Sequence, residues 1–300
     1  MDTNDPMVSV DVLVVGAGPA GLSAAVYASR AGLSTTILTG DTPGGLTTTT
    51  ERIDNYLGMF GSAGGDMAEN FLDHATKFGA VLVSDTAESV VVSRAGFFQT
   101  ITSQGKVINS STVVYAAGSN PRKLEIAGED LNGVSYCATC DGLFYEGEHV
   151  VVVGGGETAV EDALYLSNIA AHVDVLVRGD SWRATAPAVK KLTDQDNVTV
   201  HMGTQVASIA GTEGNVTGVT TDTGVDLDAT GVFIAVGQKP NSSVASPLVS
   251  LYEDGFIRSS KVKGFFVTGD VMNPTYRQVA IAVGEGAKAG MEVTAYLLSH

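Results

Sequence analysis

The sequence has few cysteines, few basic residues and no long apolar run. Only two of its 300 residues are cysteine, which excludes a framework of several disulfides. Seventeen basic residues against 33 acidic ones give a formal net charge of -16, which argues against nucleic acid or an anionic membrane as a partner. No segment approaches the length of a transmembrane helix, and Met1 to Val8 lack the basic and apolar regions of a signal peptide. A cytoplasmic protein is expected.

The two cysteines lie close together, in the stretch Cys137-Ala138-Thr139-Cys140-Asp141. A disulfide here closes a very small loop and constrains the unfolded chain little, so a purely structural bridge is a weak explanation. Such a pair can instead cycle between dithiol and disulfide, one thiolate attacking and the other resolving. Zinc would need two further ligands, and the histidines have no paired ligand spacing, so no metal is expected. The histidines are His74, His149, His172, His201 and His300.

A glycine-rich turn near the start of the chain indicates a dinucleotide site. Val10 to Val15 is predicted to be a strand, Gly16-Ala17-Gly18-Pro19-Ala20-Gly21 a turn, and Leu22 to Ala31 a helix. Glycines at these positions permit a tight turn and the close approach of a pyrophosphate to the backbone. The helix N-terminus that follows favours the anion.

A second copy of this plan follows the cysteines. His149 to Val153 is predicted to be a strand, Gly154-Gly155-Gly156-Glu157-Thr158-Ala159 a turn, and Val160 to Asn168 a helix. The stretches Ala117 to Pro121 and Val236 to Pro240 also match each other, so the second half repeats the first. Because 300 residues exceed the usual size of one domain, two domains are expected, with hinges near residues 120 and 245.

Other segments extend the first domain. Phe265 to Thr268 is predicted to be a strand of the first sheet, followed by a helix from about Gln278 to Leu298. Residues 66 to 79 fit an amphipathic helix. Its predicted core face consists of Phe71, Leu72, Ala75 and Phe78.

Two dinucleotide sites beside a dithiol imply one tightly held flavin and one exchangeable nicotinamide. With these residues in view, the chain resembles the bacterial low-molecular-weight thioredoxin reductases along nearly its whole length. The shared motifs are the two glycine turns, Gly44-Gly45 to Thr50 with Asn55-Tyr56, Cys137 to Gly142, and Gly269-Asp270-Val271 with Tyr276-Arg277-Gln278.

The resemblance implies an α/β fold of two Rossmann-like nucleotide-binding domains, the second inserted in the first. Residues 1–119 and 245–300 would hold FAD, and residues 120–244 would hold NADPH and carry the dithiol. Thioredoxin would be the disulfide substrate and the enzyme a homodimer. By the same match Cys140 faces the flavin, Cys137 attacks thioredoxin and Asp141 is the acid-base. Asp141 is the only acid immediately beside the pair.

The cofactor-binding residues follow from the same motif matches. Asp270 would bind the ribityl hydroxyls, and the helix from Gln278 would direct its positive end at the flavin. The FAD residues are Gly16, Gly18, Pro19, Ala20, Gly21, Thr39, Gly40, Gly44, Gly45, Leu46, Thr50, Asn55, Ala117, Gly118, Gly269, Asp270, Arg277, Gln278 and Val279. The NADPH residues are Gly154, Gly156, Glu157, Thr158, Ala159, Arg178 and Arg183.

The sequence departs from the family at two cofactor motifs. Gly44-Gly45-Leu46 is shorter than the usual Gly-Gly-Gln-Leu, and Val177-Arg178-Gly179 replaces the usual His-Arg-Arg. Arg178 and Arg183 remain of three cationic positions, and the segment is read as having no acid of the kind that selects NADH. Weakened NADPH binding with modest discrimination against NADH is expected.

Two alternatives stay open at this stage. A related flavin disulfide reductase could use NADH, a reduced flavin or ferredoxin as donor, or another disulfide protein as acceptor. A non-catalytic nucleotide-binding or redox-sensing protein could keep the cysteine pair for structure alone.

Overall fold

The computed structural model describes residues 8–50 and 52–299. The signal-peptide interpretation of Met1 to Val8 falls almost wholly outside this part of the chain, as does His300. The described residues form nineteen strands and six α-helices. The strands are β1 (Val8–Val15), β2 (Thr35–Leu38), β3 (Val81–Val83), β4 (Ala87–Val92), β5 (Phe98–Thr102), β6 (Val107–Tyr115), β7 (Ser119–Pro121), β8 (Val134–Ser135), β9 (His149–Val153), β10 (His172–Val177), β11 (Val198–Met202), β12 (Val206–Thr212), β13 (Asn215–Thr221), β14 (Asp226–Asp228), β15 (Gly231–Ile234), β16 (Gln238–Pro240), β17 (Val249–Leu251), β18 (Ile257–Ser260) and β19 (Phe265–Val267).

The α-helices alternate with these strands. They are α1 (Pro19–Arg30), α2 (Gly64–Lys77), α3 (Ala138–Asp141), α4 (Glu157–Ser167), α5 (Ala186–Thr193) and α6 (Val279–Ser299). Short 3-10 turns cover Gly45–Thr49, Gly142–Tyr145, Ser246–Leu248 and Gly269–Val271.

The chain divides into two compact units. Unit 1 comprises residues 1–120 and 239–300, and unit 2 comprises residues 121–238. The sequence interpretation places the second boundary near residue 244. Hydrogen bonds account for the difference, because the Asn241 side chain donates to Ala117 O and its carbonyl accepts from the Tyr115 hydroxyl. Asn241 is thereby tied to unit 1.

Unit 1 is built on a seven-stranded sheet in the order β3-β2-β1-β6-β5-β4. The seventh strand, β19, pairs in parallel with β6 over Val113 to Tyr115, beyond the segment of β6 that pairs with β5. The prediction that this tail strand joins the first sheet is confirmed. Alternation along β1 buries Val12 and Val14 on one face and Leu13 and Val15 on the other, so the sheet has a core on each side.

Helices α1 and α6 of unit 1 pack unusually closely. A β-carbon on Gly286 would collide with Ala20 O, and one on Gly290 would lie 2.7 Å from the Tyr27 β-carbon. These glycines therefore let the two backbones approach. The approach fixes α6 against the helix that follows the first glycine turn.

Helix α2 confirms most of its predicted core face. Ala75 is fully buried, and Phe71 and Leu72 pack against the same core. The prediction for Phe78 is wrong, because it follows the last helical residue and is 42% exposed. The Arg30 guanidinium lies over its ring, 5.5 Å from the centroid.

Unit 2 repeats the layered plan on a smaller scale. Its five-stranded parallel sheet has the order β11-β10-β9-β15-β8, and a three-stranded antiparallel sheet has the order β12-β13-β14. Residues from α4 and α5 pack on one face of the parallel sheet, and residues from β12 and β13 pack on the other. The predicted α/β class is confirmed, with the second unit inserted in the first.

Candidate active site

The two cysteines form a disulfide within one helical turn. Their Cα atoms are 5.3 Å apart. Cys137 has extended backbone and precedes α3, and its carbonyl accepts the N–H groups of Cys140 and Asp141, each at 3.1 Å. The turn thus places both sulfurs and the Asp141 carboxyl on one short segment, which is the arrangement that thiol–disulfide exchange with a nearby proton donor needs.

Ser135 links two of these residues from the preceding strand. It is buried at the end of β8, and its hydroxyl donates to Asp141 Oδ2 across 2.6 Å. Ser135 Oγ also accepts the N–H of Cys137 at 3.0 Å. The hydroxyl therefore connects the backbone of the first cysteine with the acid beside the second.

The first glycine turn, in unit 1, combines two crowded glycines with one that is open to a ligand. Gly16 has φ +107°, and a β-carbon there would collide with Ala116 O, so the turn needs glycine. A β-carbon on Gly21 would collide with Gly16 O, which explains the close contact of α1 with the turn. Around Gly18, by contrast, a β-carbon would meet no atom within 4 Å, so its backbone is open to a ligand. Pro19 and Ala20 begin α1, whose N-terminus lies at this opening.

The shortened loop returns to the same turn. Gly44 N donates to Ala17 O at 2.9 Å, and a β-carbon on Gly45 would lie 3.2 Å from Gly18 Cα. The missing glutamine therefore does not displace this loop from the glycine turn. Leu46 lies in the 3-10 turn Gly45–Thr49 and is 45% exposed. Thr50 follows the turn in extended backbone.

Residues after β2 and β6 complete the carboxyl edge of the unit 1 sheet. Thr39 is buried, and its N–H donates to Val83 O. Gly40 and Gly118 have positive φ, and Ala117 O accepts the Asn241 side chain. These positions follow the two strands that flank β1, and both strands run parallel to β1 and end at the same edge, where α/β sheets bind ligands.

Asp270 lies at the end of β19, between oppositely charged neighbours. Burial raises its pKa to about 6; Arg277 lowers it and Glu285 raises it. Gly269 N donates to the Glu285 carboxylate at 3.1 Å. Hydrogen bonds from the hydroxyl groups of a ligand would favour the ionised form of the Asp270 carboxyl and lower its pKa.

Asn55 and the start of α6 meet in unit 1. The Asn55 amide donates to Gln278 Oε1 at 3.1 Å, and α6 begins at Val279, one residue later than predicted. Arg277 donates to Pro274 O. The loop at Asn55 and the helix N-terminus therefore form one surface.

The second glycine turn, in unit 2, has the same shape. Gly154 is so close to Ala235 O and Ala159 that it has no room for a side chain. Gly156 is open, with Arg183 Nη2 3.9 Å from where its β-carbon would lie. Arg183 N also donates to Gly155 O at 2.8 Å. One of the two predicted arginines is thereby held beside the turn.

Three other predicted residues of unit 2 differ in their environments. Glu157 begins α4, but its carboxylate accepts the N–H and hydroxyl of Thr185, so it stabilises the start of α5. Thr158 follows it in the first turn of α4. Arg178 is exposed directly after β10.

The segment after β10 corrects the sequence interpretation. The segment does contain an acid that the sequence interpretation did not count, because Asp180 follows Gly179 and its carboxylate lies beside Gly203. Val177 is buried and packs on Gly155, so this position supplies packing where the family has histidine.

The sequence model of one family matches residues 10–286, under the description pyridine nucleotide-disulphide oxidoreductase. The chain belongs to the pyridine nucleotide-disulphide oxidoreductase family. A thioredoxin reductase of Vibrio cholerae is 36% identical over 96% of this chain and 97% of its own length. A bifunctional thioredoxin reductase/thioredoxin of Mycobacterium leprae is 35% identical over 97% of this chain, which spans 66% of that protein. The crystal structure of thioredoxin reductase from Streptococcus pyogenes superposes with a TM-score of 0.91, at 33% identity, over 98% of this chain and 99% of that one.

The described residues contain neither a metal-binding cluster nor a membrane-spanning helix. Among residues 8–50 and 52–299, no cluster of three or more His, Cys, Asp or Glu side chains could hold a metal ion. No helix in that part of the chain is both long and apolar enough to cross a membrane.

Sequence reasoning missed Ser135 in this member of the oxidoreductase family. Its position two residues before Cys137 was visible, but a lone serine at a strand end carries no signal of its own. The hydrogen bonds of Ser135 to Asp141 and Cys137 show that its hydroxyl turns toward the cysteine segment.

Proposed function

We propose that this chain is a thioredoxin reductase, which passes electrons from NADPH through FAD and the Cys137–Cys140 pair to the disulfide of thioredoxin. The observation that supports it most directly is the disulfide within one helical turn, with Asp141 in the same turn. The two open glycine turns supply the other requirement, a place for each dinucleotide.

The two units divide the cofactors. Unit 1 holds FAD, with the pyrophosphate at Gly18, the ribityl chain at Asp270 and the flavin near the start of α6. Unit 2 holds NADPH, with its pyrophosphate at Gly156 and its ribose phosphate at Arg178 and Arg183. When bound, FAD would supply the hydride chemistry that links the nicotinamide to the disulfide.

The cysteines have different roles in the exchange. Cys137, as a thiolate, attacks one sulfur of the thioredoxin disulfide, and the other sulfur leaves and takes up a proton. Cys140 then attacks Cys137 in the mixed disulfide, which restores the Cys137–Cys140 bond and releases dithiol thioredoxin. Asp141 supplies and accepts the proton at the cysteine sulfurs.

The proposal extends to assembly and location. A homodimer formed through the FAD-binding units is proposed from the family resemblance, and sedimentation at several concentrations tests it. A cytoplasmic location suits a cysteine pair that must be reduced in each cycle. Nucleic acid and membranes are not proposed as partners, given the net charge of -16.

The deciding experiment compares donors and cysteine variants. Anaerobic titration should bleach the flavin with NADPH, and the reduced enzyme should reduce thioredoxin. Cys137→Ser and Cys140→Ser should each abolish thioredoxin reduction and retain NADPH oxidation with an artificial acceptor. Bleaching by NADH, a reduced flavin or ferredoxin without NADPH would favour the alternative donor. Full turnover in either cysteine variant would contradict the dithiol pathway.

A further inference from the structure

We infer that Ser135 is a positioning residue that holds the Asp141 carboxyl beside the dithiol in both of its protonation states. The inference deepens the proposed function and rests on it, because Asp141 matters only if protons move at this pair. Ser135 itself makes no contact with a reacting sulfur among the hydrogen bonds described above.

The first step is the geometry of one hydroxyl. Ser135 Oγ lies 2.6 Å from Asp141 Oδ2, 3.0 Å from Cys137 N and 3.4 Å from Cys137 O. A hydroxyl has one hydrogen to donate and two lone pairs to accept with. The Cys137 N–H occupies one lone pair, which fixes the oxygen, while the hydrogen can turn to either of two acceptors.

The second step follows from those two acceptors. When Asp141 is ionised, the serine hydrogen points to its carboxylate, which is the shorter contact. When Asp141 is protonated, its own O–H donates to Ser135 Oγ, and the serine hydrogen turns to the Cys137 carbonyl. Each state keeps every one of these groups bonded, and only the proton on Asp141 is gained or lost.

The third step concerns the rigidity of the support. Ser135 is buried at the end of β8, and β8 pairs with the core strand β15. The Cys137 carbonyl that receives the hydrogen also accepts the N–H groups of Cys140 and Asp141. Rotation of one hydrogen therefore adjusts the site without moving the turn that carries the cysteines.

Other titratable groups lie on the elements packed against α3. Helix α4 carries Glu157, Glu161, Asp162 and Tyr165, and the 3-10 turn carries Tyr145. Glu157 is engaged by Thr185, and Gly142 lies against the ring of Tyr165. These groups remain in every variant below, so a difference between variants isolates the serine.

The test is a carboxyl titration of the oxidised holoenzyme by NMR, with 13Cγ-labelled aspartate and Asp141→Asn to assign the signal. A hydrogen bond to a carboxylate lowers its pKa, so Ser135→Ala should raise the Asp141 midpoint by about one to two pH units. Ser135→Thr keeps the hydroxyl and should stay close to wild type. Ser242→Ala, which removes another buried serine hydroxyl, should leave the midpoint unchanged.

Turnover supplies the second readout. The acid limb of kcat/KM for thioredoxin should move with the midpoint in Ser135→Ala, and in an Asp141→Asn background the serine change should cause no further shift in pH dependence. An unmoved midpoint in Ser135→Ala would overturn the inference. So would an equal, pH-independent loss with and without Asp141, since that indicates support of the backbone alone.

Two controls keep the outcome decisive. If Ser135→Ala does not fold, the isosteric pair Ser135→Thr and Ser135→Val makes the same comparison, because they differ only in hydroxyl against methyl. The titration uses neither thioredoxin nor NADPH, so its result can be interpreted even if the proposed function is wrong. A wild-type enzyme that ignores thioredoxin but shows the serine-dependent midpoint would reject the substrate and keep the positioning role.

Discussion

The hydroxyl of Tyr136, the residue directly before Cys137, donates to the carboxylate of Glu129 across 2.8 Å. The same carboxylate accepts the N–H groups of Leu124 and Glu125, each at 2.7 Å. Glu129 therefore ties the first segment of unit 2 to the residue that precedes the cysteine pair. One side chain supports a loop that contains a non-glycine residue at positive φ, Glu125 at +58°.

Glu129→Gln should destabilise the protein in a pH-dependent way. Burial by itself would raise the pKa of Glu129, but the bonds from Leu124, Tyr136 and Glu125 bring it below its ordinary value of 4.5. A lowered folded pKa contributes stability that is present above the unfolded pKa and lost as the pH falls through the folded one. Urea unfolding should show a loss of stability at pH 7 of about 0.5–1.5 kcal/mol, because water screens this partly exposed carboxylate, and the loss should become smaller toward pH 4 and below. Glu125→Gln is the neighbouring control, and a loss of equal size at both pH values would refute the charged role.

FAD affinity should rise with pH around the pKa of Asp270. Burial raises that pKa to about 6, and hydroxyl donors favour the ionised carboxylate. FAD binding to the apoprotein, followed by flavin fluorescence, should therefore weaken below pH 6, by at most about tenfold per pH unit. Asp270→Asn should bind FAD weakly with little of this dependence. Glu285→Gln should move the midpoint down, because Glu285 raises the pKa of Asp270; a midpoint that stays in place argues against this coupling.

Gly18→Ala should separate folding from FAD binding. Gly18 has φ -75°, which alanine adopts, and its β-carbon would enter open space where the pyrophosphate is proposed to lie. Thermal stability of the apoprotein should change by less than about 1 kcal/mol, while FAD affinity falls at least about tenfold. Gly284→Ala, at an exposed position of helix α6 where a β-carbon would meet nothing within 4 Å, should retain FAD. Equal FAD content in purified Gly18→Ala and wild type would place the pyrophosphate elsewhere.

Gly179→Arg should improve NADPH binding. Gly179 does not have positive φ, and its β-carbon would meet nothing closer than 3.6 Å, so the backbone accepts a side chain. A charge-assisted bond to the ribose phosphate should lower the KM for NADPH by roughly ten- to a hundredfold and leave NADH nearly unchanged. Gly179→Gln, long but neutral, should give little of this gain. Steady-state kinetics with both nicotinamides decide it, and a parallel gain for NADH would indicate that the arginine does not read the phosphate.

The elements that sequence predicts best are those whose pattern is local. Both glycine turns, β9 and the burial of Ala75 follow from spacing along a few residues, because tight turns and helical faces are set by neighbours in the chain. The prediction that Phe78 is buried is wrong for the same reason. Periodicity extends a face past the point where the helix ends, and the ring instead lies under Arg30.

The rest depends on contacts between distant segments. Ser135 is positioned by pairing with a strand almost a hundred residues later, and Asn241 is assigned to unit 1 by bonds to Tyr115 and Ala117. Neither relationship leaves a periodic trace in the sequence. Asp180 is a different case, because it is visible in the sequence. Its importance comes from its place just after β10, which ends three residues before it.

The late arrival of β19 has a consequence for synthesis on the ribosome. Strand β6 gains β19 only after all of unit 2 has been translated, and α1 gains α6 later still. Unit 2 is continuous, so it can fold while the side of α1 that later packs against Gly286 and Gly290 of α6 is still uncovered. A nascent chain stopped near residue 260 should offer that apolar side to chaperones. Translation speed across residues 121–238 therefore sets how long unit 1 waits unfinished.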